Sequence, residues 1–169
     1  MKNLALLLIM LCSLVAGCGI RYDIDVEKFE TATIVVEKKP LKIITPENAG
    51  ITRVVNLNKF ASTGLDIQLD LDKCYSVIKE LFSEVFTESA TNKWLSVKIT
   101  EVQYEAWGFC HVAGSYMYFT VETSSGLRKS FKTQDQSGWS IDRAVSGNLS
   151  RGVEAILKDP DIQKFILSD

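Results

Sequence analysis

The sequence predicts an α+β domain: a mainly antiparallel β-sheet with two amphipathic helices packed on one face, in the order β-β-(β)-α-β-β-β-α. Two stretches carry apolar residues at three- and four-residue steps, the period of a helix with one buried stripe. Between them lie three stretches rich in β-branched and aromatic residues that alternate with polar ones, the period of a strand. Two amphipathic helices need one apolar surface to cover, and the inner face of such a sheet provides it.

The elements follow in order. Thr31 to Glu37, centred on Ile34, Val35 and Val36, is the first predicted strand, and Pro40 ends it because proline cannot donate to a ladder. Leu41 to Ile44 is a second short strand stopped by Pro46, Glu47 to Gly50 is a turn, and Ile51 to Leu57 is an edge strand. Phe60 to Leu69 reads as a connector. The first helix buries Leu71, Cys74, Tyr75, Ile78, Leu81, Phe82, Val85 and Phe86, with Asp70 or Asp72 as its N-cap and its end near Thr91-Asn92. Leu95, Val97 and Ile99 then alternate as a strand. Past Glu101 the apolar phase moves to Val102 and Tyr104. Side chains change face every residue, so that shift predicts a bulge near Thr100–Glu101. Tyr116 to Thr123 is the next strand, with Met117, Phe119 and Val121 on one face and Tyr116 and Tyr118 on the other. Ser124-Ser125-Gly126 turns the chain, Leu127 to Thr133 returns with Leu127 and Phe131 inward, and Gln134 to Gly138 is a polar loop. The second helix runs from Ser140, its cap, to Lys158, burying Ile141, Val145, Leu149, Val153 and Ile156. Asp159-Pro160 then caps and opens a short final helix anchored by Ile162, Phe165 and Ile166.

Composition narrows the function classes. The chain has 169 residues and net charge −2, with acids and bases interspersed. Without a basic stripe, nucleic acid is not an expected partner. His111 is the single histidine, beside Cys110 and without ligand-spaced partners, so neither a metal site nor a serine-type triad is expected. No phosphate-cradling glycine loop is present, and the abundance of carboxylates does not define a glycosidase pair. The expectation is a protein with no enzymatic activity, catalytic residue or cofactor of its own. Trp94, Tyr104, Trp107, Tyr116, Tyr118 and Trp139 fall along the predicted strands. If helices cover the Met117 face, Tyr116, Tyr118 and Trp107 form a candidate binding face for a partner or ligand, or else the base of a second small core or a surface covered by the N-terminal segment.

The first eighteen residues point to a location. Lys2 precedes an apolar run from Leu4 to Val15, followed by Ala16-Gly17-Cys18. This is the layout of a secretory signal. The run falls short of the roughly 20 apolar residues that a membrane-spanning helix needs. Leu14-Val15-Ala16-Gly17-Cys18 resembles the lipobox of bacterial lipoproteins, with Val15 where Leu is more usual. The resemblance implies cleavage before Cys18, a diacylglycerol on its thiol and an acyl chain on its new amino group. It also implies a location on the periplasmic face of the outer membrane, since Gly19, not Asp, follows the cysteine. Residues 1–17 are then the signal peptide, 18–30 a lipidated start with a short charged tether, and 31–169 one domain. Extended, Gly19 to Glu30 reaches about 40 Å. Cys74 and Cys110 remain, in a compartment that permits disulfides; they are a candidate bridge or two buried thiols.

From about Leu65 to Ile166 the element order resembles the small outer-membrane lipoproteins of the YajG type and the auxiliary lipoproteins of envelope ABC transporters. The marks are Leu69-Asp70-Leu71 at the helix start, Val97-Lys98-Ile99, the hairpin through Gly126, and the tail with Asp159, Ile162, Phe165 and Ile166. Pro40 to Ala61 has no counterpart, and the resemblance brings no catalytic residues. It implies an accessory or interaction module with an envelope protein partner. The alternative is a periplasmic ligand-binding lipoprotein that uses the aromatic face for lipid or glycan. The oligomeric state is not legible in the chain.

Overall fold

The computed structural model describes residues 20–24, 39–46, 53–56, 65–87, 91–107, 112–137 and 140–168, with the backbone alone at 20–24, 53–56, 65–68, 106–107 and 112–113. The fold is α+β. Its strands are β1 (Ile20–Ile24), β2 (Lys39–Pro40), β3 (Lys42–Ile44), β4 (Arg53–Asn56), β5 (Leu65–Leu69), β6 (Phe86–Thr87), β7 (Trp94–Trp107), β8 (Val112–Thr123) and β9 (Arg128–Ser137). Its helices are α1 (Leu71–Val85), α2 (Ile141–Lys158) and α3 (Pro160–Leu167).

Among the described residues the main sheet has five strands. β7, β8 and β9 form an antiparallel meander, while β3 and β4 lie one after the other along the outer edge of β7, both parallel to it. The expected bulge is present: the β7–β8 register shifts between Ile99 and Glu101. It keeps Leu95, Val97 and Ile99 before it, and Val102 and Tyr104 after it, all buried on one face. In the hairpin Gly126 has φ 85°, a left-handed conformation that glycine adopts without a side-chain clash.

Helix caps follow the sequence closely. Asp70 accepts from the Lys73 N–H at 3.0 Å and Ser140 from the Arg143 N–H at 3.2 Å. Asp159 accepts from the N–H groups of Asp161 and Ile162 at 3.0 and 3.1 Å, with Pro160 opening α3. At the far end of α3 the Lys93 ammonium donates to the Ile166 carbonyl at 3.2 Å and to Ser168, and stands over the Phe165 ring. Two helices thus bring Cys74, Ile78, Leu81, Phe82, Leu149, Val153 and Ile156 onto the sheet residues Val97, Ile99, Met117, Phe119 and Val121, and α3 closes the core with Ile162. Each such side chain contributes about 1.5–3 kcal/mol of gross burial. Tyr75 from α1 reaches the sheet, where its hydroxyl accepts from the Ile99 N–H at 3.1 Å. That position lies between the stretches of β7 that pair with β3 and with β4.

Several expectations are corrected. Leu65–Leu69, read as part of a connector, is a strand, paired in parallel with Ile20–Ile24 from the stretch read as a tether. The first helix stops at Val85, well before Thr91-Asn92. Phe86 turns extended (φ −119°, ψ 154°) and pairs with β2. Phe86 stays buried and stacks on Phe82 with ring centroids 6.2 Å apart, so its helical spacing hid the stop. β9 continues through Gln134 to Ser137, read as a loop, because each of these residues has a partner on β8. The predicted strand Thr31 to Glu37 lies outside the described residues, as do the predicted signal peptide 1–17 and the turn Glu47 to Gly50.

Candidate functional site

Alternation along β8 separates two faces. Met117, Phe119 and Val121 are buried beneath the helices, while Tyr116, Tyr118 and Thr120 are half-buried on the opposite face. Pairing then fixes their neighbours. Tyr118 lies opposite Glu101 on β7 and Lys132 on β9; Tyr116 lies opposite Gln103 and Gln134. The Lys132 ammonium stands 4.9 Å from the Tyr116 ring centroid and 5.3 Å from that of Tyr118. At an exposed position each such contact contributes about 0.5–1 kcal/mol. The Gln103 amide donates to Glu101 Oε1 at 2.6 Å, and the Tyr118 hydroxyl donates to Gln103 Oε1 at 3.5 Å. The result is a strip of two aromatic rings bordered by an amide, a carboxylate and an ammonium. Among the described residues it offers ring faces and hydrogen-bonding groups, and no nucleophile paired with a base.

The sequence picks out Tyr116 and Tyr118, and the structure places them side by side. Trp107 ends β7 opposite Val112, and its side chain is outside the described residues. Lys132, Glu101 and Gln103 are additions from the structure. A register counted from the Ser124-Ser125-Gly126 turn would have found Lys132, because it sets Tyr118 against it.

A second polar cluster is internal. Where α2 crosses β8, the Asn148 amide donates to Ser115 O and Oγ, both at 2.6 Å, and Ser115 Oγ donates to the Ala144 carbonyl at 2.8 Å. Asn148 Oδ1 is buried without a protein partner. The cluster joins helix to sheet at a set register.

Cys74 is a free thiol with no exposed surface. Burial, and then the charge of Asp70, push its pKa up to about 12. Cys18, Cys110 and His111 lie outside the described residues. Among the described residues, no group of three or more His, Cys, Asp or Glu is placed to hold a metal ion. Among them, too, no helix is long and apolar enough to cross a membrane.

No protein-family model matches the chain, and no curated protein matches it. Among solved structures it is similar to a protein from Xanthomonas campestris assigned to the family model DUF330. The two are 11% identical, with 88% of this chain and 95% of that one covered and a TM-score of 0.47. At that distance the likeness establishes neither family nor function.

Proposed function

We propose that the protein is a lipid-anchored, non-enzymatic module of the bacterial cell envelope, on the periplasmic face of the outer membrane, acting as an accessory or interaction partner in an assembly or transport complex. The observation that carries this is the run Leu14-Val15-Ala16-Gly17-Cys18 behind a short apolar segment. Acyl chains on Cys18 would retain the body at the bilayer at about 0.8 kcal/mol per buried methylene, and more than one chain makes retention stable. The YajG-type resemblance of the last two-thirds of the chain supports an accessory role. The experiment is Cys18→Ser followed by membrane fractionation. The variant is expected to leave the membrane fraction, and unchanged sedimentation would count against the anchor.

The strip of Tyr116, Tyr118, Gln103 and Glu101 favours a second reading, in which the same anchored body binds a glycan or lipid by ring stacking and hydrogen bonds. Native mass spectrometry of the purified protein separates the two. A bound small glycan or lipid supports the second reading, and a single stoichiometric protein partner supports the first.

A further inference from the structure

The stretch after Cys18 reads as a charged leader, yet the backbone places five of its residues in a strand. β1 pairs in parallel with β5 through Ile20↔Leu65, Arg21↔Asp66, Tyr22↔Ile67, Asp23↔Gln68 and Ile24↔Leu69. The register matches residue types throughout. The apolar and aromatic positions 20, 22 and 24 meet apolar 65, 67 and 69, and Arg21 meets Asp66. A slip of one residue would set every apolar position against a polar one. β5 in turn is joined to the body without slack. Leu69 packs against the hydrophobic core, and the next residue, Asp70, caps α1.

We infer that β1 and β5 form a clamp that fixes the lipid-bearing end of the chain to the folded body. This rests on the acylation of Cys18 proposed above. Two residue steps separate Cys18 from Ile20, so the chain between lipid and strand spans at most about 7 Å, against about 40 Å for an open leader through Glu30. The strand then adds about 13 Å between Ile20 and Ile24, where it lies beside Leu69. The body is therefore held close against the lipid surface and cannot range across the compartment. The partner that fits is one seated in or on the same membrane.

The test is amide hydrogen exchange on the mature protein, purified from bacterial membranes and mixed with phospholipid vesicles, read on the peptide containing Arg21 to Ile24. The clamp predicts exchange slowed by about 100-fold or more relative to an unstructured chain, in the range of local-opening protection. Ile67→Pro removes an amide from β5 and should return these amides to near-unstructured rates, while Leu95 to Tyr104 and Ser115 to Val121 stay protected and the protein stays on the vesicles. Wild-type exchange at the unstructured rate, with those two stretches protected, overturns the clamp whatever the proline variant does. Slow exchange in a protein that floats free of vesicles, with no added mass on Cys18, overturns the anchor and the stand-off while the strand pair survives.

Discussion

Two glycines of α2 meet very different neighbours, and the same substitution at each should have different consequences. A Cβ built on Gly152 would lie 2.5 Å from Phe119 Cζ and 2.6 Å from Cε2. Carbon atoms in good contact sit about 3.5–4.0 Å apart, so the ring would have to retreat by roughly 1 Å. It has little room to do so, because Phe119 is 1% exposed and stands opposite Ile99 and Phe131 on the neighbouring strands. Overpacking costs about 1–3 kcal/mol, and a contact this short against an immobile ring falls in the upper part of that range, about 2–3 kcal/mol, offset by about 0.8–1.0 kcal/mol of helix propensity gained on replacing glycine with alanine. Gly152→Ala should therefore destabilise by about 1–2 kcal/mol, or roughly 2–8 °C in Tm for a domain of this size. At Gly147 the new Cβ would meet the Asp135 carboxylate, the free end of a side chain. Turning it away breaks an ion pair with Arg151 at 3.0 Å and the hydrogen bond that Asp135 Oδ1 accepts from the exposed Gln136 N–H at 2.9 Å; Arg151 is 60% exposed. Water replaces both partners, so each is worth about 0–1 kcal/mol, most of which the propensity gain balances. Gly147→Ala should stay within about 1 kcal/mol of wild type. Urea unfolding of the three proteins, with equal m-values and shifted midpoints, reads both effects. A Gly152→Ala protein as stable as wild type, or a Gly147→Ala protein less stable than Gly152→Ala, would refute the packing of α2 on the sheet.

Two further outcomes follow from titratable groups. Burial pushes the Asp159 carboxyl up, but the Lys129 ammonium at 2.8 Å and the N–H groups of Ile162 and Asp161 outweigh it and hold its pKa below the ordinary aspartate value. Its contribution to stability is thus full above about pH 4, the unfolded value, and is lost as pH falls through the depressed folded one. Asp159→Asn should lower stability at neutral pH and flatten the acid limb of a pH–stability curve; parallel curves for variant and wild type would contradict this. Cys74, buried with its pKa raised, should resist a maleimide at pH 8 in the folded protein and react once the protein is unfolded without reductant. Cys74 unreactive until reductant is added would contradict the free thiol, and a linked Cys74–Cys110 peptide in the non-reduced map would identify its bridge.

Much of the fold was legible because several elements satisfy local and global preferences together. Ser140 and Asp159 are good caps placed just before apolar stripes, and α2 and α3 begin where they predict. The phase change after Ile99 located the bulge because one buried face tolerates no slip of side chains. What escaped depends on distant partners. Gln134 to Ser137 is too polar to announce a strand and becomes one only because β8 runs beside it. Ile20–Ile24 carries two charges in five residues and resembles a leader until Leu65–Leu69 is laid against it. Of the candidate binding face, the tyrosines were visible through alternation, whereas Glu101 and Gln103 depend on a register displaced by the bulge.

Retention at the membrane turns on the chemistry of one cysteine, Cys18. Mass spectrometry of the N-terminal peptide of the protein extracted from cell membranes measures it directly. The expected species starts at Cys18 and carries a diacylglycerol on sulfur and an acyl group on nitrogen. A peptide that starts elsewhere, or a Cys18 of unmodified mass, would contradict it.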